Sequence, residues 1–152
     1  MVALVEVVDL TPGTLVGEYE VGKLLGKGGF GTVYAASHPL IGKQVAIKVL
    51  ALRYSVDPAV VSRFIAEARA VNQIRHQHII DIFSFGKLPD GRQYYVMELL
   101  DGTPLDKHLR DRGRLPTRDA LEILRPIECG TGLLHHHPIE IREQRRMKRV
   151  RL

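Results

Sequence analysis

The stretch Leu24-Leu25-Gly26-Lys27-Gly28-Gly29-Phe30-Gly31-Thr32-Val33-Tyr34 decides how the rest of this chain is read. Gly26, Gly28 and Gly31 have the spacing G-x-G-x-x-G. Glycines in that pattern let backbone N–H groups approach phosphate oxygens where a side chain would collide. The spacing alone is a weak signal, and a glycine-rich hairpin without a ligand has the same composition. The flanks discriminate. A dinucleotide-binding loop leads into a helix and has an acidic residue about 20 positions further on. Here Thr32-Val33-Tyr34 favours a strand, and the residues around position 50 are Val49-Leu50-Ala51-Leu52. No Gly-Lys-Ser/Thr follows at the spacing of a Walker A loop. The pattern is strand, glycine loop, strand, with a valine two residues after the last glycine.

Working outward, Tyr19–Gly26 and Gly31–Ser37 read as the two strands on either side of the loop. His38-Pro39 and Gly42 mark a turn, and Gln44–Leu50 is a third strand. Asp57 as N-cap and Pro58 at the first position open a helix. Ile79–Phe85 and Tyr94–Leu100 are two further strands, joined through the turn signal Leu88-Pro89-Asp90-Gly91. Thr103-Pro104 starts a short helix that Gly113 ends, and Thr117 is read as the cap of a last helix through Leu121, Leu124 and Ile127. Pro126, Gly130 and Gly132 weaken its far end. Short links between the first strands predict an antiparallel meander, hence an α+β layout. No internal repeat is visible.

Two charged residues stand out against this frame. In Val45-Ala46-Ile47-Lys48, the alternation of a strand puts Val45, Ile47 and Val49 on one face and Lys48 with Ala46 and Leu50 on the other. A lysine among small and apolar neighbours needs an anionic partner, unless it is simply an exposed strand lysine. On the helix, Val60, Phe64, Val71 and Ile74 form an apolar stripe with Glu67 near its middle. A carboxylate facing a core is costly unless it is paired. Lys48 is the natural partner, the alternative being a Glu at the edge of a partly exposed stripe.

With these motifs in order, the chain resembles the eukaryotic-like serine/threonine protein kinases, most of all those of bacteria. The likeness is carried by Leu24–Tyr34, by Val45–Leu50 in the V-A-I-K form, by Arg63-Phe64-Ile65-Ala66-Glu67-Ala68, by Arg75-His76-Gln77-His78-Ile79-Ile80 and by Tyr95–Gly102, within about residues 15–127. It implies a kinase N-lobe, a five-stranded antiparallel sheet plus one helix, followed by the first helices of a C-lobe. It further implies ATP with Mg²⁺ as cofactors and transfer of the γ-phosphoryl to protein Ser/Thr hydroxyls. Leu25, Gly26, Lys27, Gly28, Gly29, Phe30 and Gly31 would line the phosphates, and Val33 and Ala46 would pack above the adenine. Lys48 and Glu67 would form the catalytic ion pair, and Met97 would stand behind the adenine. Glu98 and Leu100 would present the backbone carbonyl and N–H of the hinge. Asp101 and Asp106 could approach ribose or substrate, or could simply be a solvated helix start. The implied segments are a leader at 1–17, the ATP-binding N-lobe at 18–100, the hinge and first C-lobe helices at 101–134, and a divergent basic tail at 135–152 that is expected to be unstructured.

The pattern then departs from the family. Where His-Arg-Asp is expected, the chain has Ile141-Arg142-Glu143, and the following Lys and Asn positions hold Arg145 and Lys148. No Asp-Phe-Gly occurs in the 152 residues, so the family's magnesium ligands are not among them. One account is a divergent short protein with a degenerate catalytic loop. The other is that the usual sequence ends near Ile127, through truncation or a shifted reading frame, and the change in composition there favours this second account. On either account the chain alone is expected to be poorly active. The rival readings are an ATP-holding pseudokinase, an interaction module docking a partner kinase, and an interaction protein acting through its basic tail.

Composition bounds the remaining classes. Hydrophobic residues at 45% and charged residues at 26% are those of a globular domain. The single Cys129 excludes a disulfide framework and fits a reducing cytosol, so a cytoplasmic location is expected. Val2–Val8 contains Glu6 and is too short to span a bilayer, and no other stretch approaches that length. The net charge of +5 belongs to the last eleven residues, where Arg142, Arg145, Arg146, Lys148, Arg149 and Arg151 stand with one acid, Glu143, and leave a near-neutral body. Without interleaved aromatics that tail predicts no specific nucleic acid. His135-His136-His137 point in different directions on a helix and lack a spaced fourth ligand, so no metal site is expected.

Overall fold

The computed structural model describes residues 9–74 and 78–134. The N-terminal residues 1–8, Arg75-His76-Gln77, the histidine triplet and the whole basic tail, with Ile141-Arg142-Glu143, Arg145 and Lys148, lie outside the described residues. The described chain divides into two compact units, residues 9–68 with 82–99, and residues 69–74, 78–81 and 100–134.

The first unit is built on β1 (Leu15–Val16), β2 (Tyr19–Lys27), β3 (Gly31–Ser37), β4 (Gln44–Leu50), β5 (Ile82–Lys87) and β6 (Gln93–Glu98). They form one sheet in the order β1-β2-β3-β4-β6-β5, every pair antiparallel. The sheet therefore has six strands where five were expected. The added one is the two-residue β1, which pairs with β2 through Leu15 opposite Glu20 and Val16 opposite Tyr19. A strand that short carries no periodicity to read. Between β4 and β5 run α1 (Leu52–Ser55) and the start of α2 (Pro58–Ile74).

Strand alternation gives the sheet two apolar faces. Val45, Ile47 and Val49 of β4 join Val16, Val21, Tyr34, Ala36, Leu88 and Val96 in one core. Burying a Val or Ile side chain of this kind contributes about 1.5–3 kcal/mol. Leu50 points the other way and packs with Phe64 and Ala68 of α2 and with Tyr95 of β6. Phe64 stacks on Tyr95 at 4.9 Å between ring centroids and leans on Phe85 at 5.7 Å. The helix thus docks on the sheet face that carries Lys48.

Helix α2 starts where its sequence says. The Asp57 carboxylate accepts from the Ala59 N–H at 2.8 Å, capping a first turn that Pro58 opens. In the β5–β6 turn, Gly91 at φ 93° donates its N–H to the Leu88 carbonyl. The strands flanking that turn sit elsewhere than expected: β5 begins at Ile82 rather than Ile79, and β6 at Gln93 rather than Tyr94. Ile79 is buried outside any strand, which accounts for the apolar run that suggested an earlier start.

The second unit contains α3 (Leu105–Arg112) and α4 (Thr117–Leu134). Gly113 ends α3 at φ 73° with its N–H on the Leu109 carbonyl. Thr117 lies inside α4 rather than capping it: the first helical bond runs from the Ala120 N–H to the Pro116 carbonyl. The helix continues past Pro126 to Leu134. Ile123 is buried, while Leu121 and Leu124 remain exposed.

Candidate functional site

Cross-strand pairing assembles the site in the first unit. Gly26 stands opposite Val33, Val33 opposite Lys48, Lys48 opposite Tyr95 and Tyr95 opposite Phe85. Directly paired residues of antiparallel strands project from the same face. One row therefore crosses five strands, with Lys48 at its centre. The next row holds Ala35, Ala46, Met97 and Ile82. Val33, Ala46, Lys48 and Met97, read from separate motifs, share one face of one sheet.

Lys48 is half-buried, and neither it nor Glu67 stands without an interaction. The Lys48 Nζ lies 5.9 Å from the Tyr95 ring centroid, at the limit of a cation–π contact. Glu67 follows Phe64 by one helical turn, and Phe64 stacks on Tyr95. The buried members of the α2 stripe are Phe64, Ala68 and Val71. Ala68 draws the stripe's centre away from Glu67, which lies at its edge, half-buried, and not near the middle as expected. An edge position suits a carboxylate that must meet a partner without losing all its water.

The glycine loop closes as a hairpin, the Gly28 N–H donating to the Gly31 carbonyl at 2.8 Å. Its glycines answer different demands. A Cβ on Gly31 would collide with the Val49 carbonyl oxygen, so this glycine lets β3 lie close against β4. Gly29 has no positive φ, and a Cβ there would meet nothing within 4 Å. The chain itself gives Gly29 no reason to be glycine. Phe30 is exposed but rests on Tyr54 of α1, 5.1 Å between ring centroids. Lys27 is turned toward Asp9, which accepts from its Nζ at 2.9 and 3.1 Å. Leu25, beside the irregularity in the β2–β3 register, is partly exposed.

Glu98 pairs with Val45 and so projects from the face opposite Lys48, leaving only its backbone available on the Lys48 side. Leu100 and Asp101 belong to the second unit, as does Asp106, which accepts from Arg110 at 2.9 Å within α3. Among the described residues no cluster of His, Cys, Asp and Glu could hold a metal ion, and no helix is long and apolar enough to cross a membrane.

The aromatics Tyr95 and Phe85, and the α1 side chains touching the loop, were not anticipated. Nothing within either strand fixes their mutual register, so Tyr95 could not be set beside Lys48 from spacing alone.

Residues 19–142 match the model of the protein kinase domain. The chain belongs to the protein kinase family. Over 102 residues it is 45% identical to the serine/threonine-protein kinase Pkn1 of Myxococcus xanthus, covering 67% of this chain and 15% of that protein. Over 132 residues it is 38% identical to PknA of Mycobacterium tuberculosis, covering 80% of this chain and 31% of that one. The crystal structure of the Mycobacterium tuberculosis PknI kinase domain superposes with a TM-score of 0.71 at 26% identity, over 86% of this chain and 54% of that domain. The chain thus spans less than a third of these two curated kinases and about half of the solved kinase domain. Its six-stranded antiparallel sheet with packed helix is a kinase N-lobe fold, and α3 and α4 correspond to the start of a C-lobe.

Proposed function

We propose that this chain is the ATP-binding portion of a protein serine/threonine kinase, with residues 18–100 as the nucleotide-binding lobe and 101–134 as the hinge and first helices of the next. The observation that carries the reading is the row Gly26, Val33, Lys48, Tyr95, with α2 docked on Tyr95. In this row Lys48 shares a face with the glycine loop, and the helix packed on Tyr95 carries Glu67 one turn beyond Phe64.

The residues fit a triphosphate. Gly29 leaves space that the chain does not use, so an anion can approach the loop backbone there. In this reading Lys48 binds the α- and β-phosphates and Glu67 holds its ammonium in position. Ala46, Val33 and Met97 give an apolar surface for the base, and the backbone of Glu98 offers an acceptor to its edge. ATP with Mg²⁺ supplies the transferable γ-phosphoryl. The acceptor is a protein hydroxyl or, in the alternative, the partner is another kinase.

A second reading, an ATP-binding pseudokinase or interaction module, is favoured by Ile141-Arg142-Glu143, Arg145 and Lys148 at the catalytic-loop positions. Loss of the base and the metal-binding Asn leaves stabilisation of the transferred group incomplete, so slow turnover by these residues alone is expected. Titration of the purified chain with Mg·ATP in a thermal-shift assay tests the shared element. Stabilisation by ATP that Lys48→Met reduces supports both readings, and no shift in either protein sinks both. Transfer of labelled γ-phosphate to protein then separates kinase from pseudokinase.

A further inference from the structure

A loop of glycines is costly to order, since each fixed residue gives up backbone entropy and glycine loses more than any other. In this chain the order comes from α1, directly after β4. Arg53 Nη2 donates to the Gly29 carbonyl at 2.9 Å. The Ala51 N–H donates to the Phe30 carbonyl, also at 2.9 Å. The Phe30 ring rests on Tyr54 at 5.1 Å, and the Arg53 guanidinium carbon sits 4.9 Å from the same Tyr54 ring. Three different kinds of contact thus converge on the hairpin tip from Ala51, which precedes α1, and from Arg53 and Tyr54 within it.

We propose that Arg53 and Tyr54 form a latch that preorganises the glycine-rich loop for an anionic phosphate ligand, Arg53 acting as a positioning residue through the Gly29 carbonyl. The inference rests on the nucleotide reading of the loop. Carbonyl oxygens repel phosphate, and the latch engages two consecutive ones, those of Gly29 and Phe30. Holding them toward α1 turns the repulsive groups of the tip to a cationic or N–H partner. It also lowers the entropy lost when a ligand arrives, which is the general route by which preorganisation raises affinity. Arg53 is itself exposed, so its removal acts on the loop rather than on a core.

The test uses the 152-residue chain with Arg53→Ala and Arg53→Lys, read by amide hydrogen exchange of residues 28–30 without nucleotide and by ATP titration. Loss of this one solvent-exposed hydrogen bond predicts loop exchange about three- to tenfold faster in Arg53→Ala and ATP affinity weaker by a similar factor. Exchange in β3 and β4 stays unchanged, and Arg53→Lys, which still donates to a carbonyl, recovers part of both effects. Unchanged loop exchange in Arg53→Ala overturns the latch. Faster exchange with unchanged ATP affinity overturns its preorganising role. Absence of ATP binding by the unsubstituted chain overturns the nucleotide reading instead, and the exchange data then decide the latch alone.

Discussion

Lys48 and Tyr95 face each other across β4 and β6, with Nζ 5.9 Å from the ring centroid. The phenol ring also stacks on Phe64 of α2, so the lysine stands at the boundary of an apolar cluster on the face it shares with the glycine loop.

That boundary sets the outcome of Lys48→Met. Methionine keeps the apolar stem and loses only the charge, so unfolding is expected within a few tenths of a kcal/mol of the parent if Lys48 contributes little net energy, as partly exposed charges do. Loss of a charge-assisted contact to phosphate costs about 1.5–3 kcal/mol, which corresponds to a loss of ATP affinity on the order of ten- to a hundredfold. Calorimetric titration alongside denaturant unfolding separates the two effects.

The two loop glycines should part company under substitution. Gly31→Ala drives a methyl group into the Val49 carbonyl, and overpacking of this kind costs about 1–3 kcal/mol. Gly29→Ala meets open space, so its melting temperature stays that of the parent while ATP binding weakens. Equal destabilisation by both changes contradicts this division of roles.

In the sheet core, Ile47 is 0% exposed between β3 and β6. Ile47→Ala should lower the unfolding free energy by about 2–5 kcal/mol. Leu40, 89% exposed in the β3–β4 turn, is the control: Leu40→Ala should stay within about 0.5 kcal/mol of the parent. Urea midpoints measure both.

The β5–β6 turn predicts a pH dependence. The hydrogen bond from Arg92 holds the Asp90 carboxyl below its ordinary value of 3.8, against a smaller opposing effect of burial. A carboxyl depressed in the folded state adds stability that is complete above its unfolded value and fades as pH falls through the folded one. Asp90 is 43% exposed, though Arg92 is only 6% so, and an ion pair with one side in water is worth no more than about 1 kcal/mol. Asp90→Asn should therefore be slightly less stable than the parent at neutral pH, with the two curves converging as pH falls below the ordinary carboxylate range. Curves that stay parallel would remove the pair from the pH response.

Much of the sheet was legible because its strands announce themselves locally. Gly31–Ser37 and Gln44–Leu50 have the bounds expected of them, and Asp57-Pro58 opens α2. What escaped was set by distant partners or carried by too few residues. Helix α1 has only four residues and no side-chain cap, too little for a periodicity or a start signal to be read. The burial of Ala68, which moves Glu67 to the stripe's edge, depends on Leu50 and Tyr95 across the interface. Lys48, Ala46, Val33 and Met97 were each legible singly, but their assembly into adjacent rows required the register between strands.

The opposed faces of β4 have a consequence for how this chain can vary. Whether a residue of β4 joins the aliphatic core or the face of the glycine loop depends on nothing but whether its count from Gln44 is odd or even. Adding or deleting one residue in that strand would drive the ammonium of Lys48 into the valine layer and expel Ile47 toward the glycine loop. Side chains in β4 can be exchanged one at a time, but its length is fixed by parity.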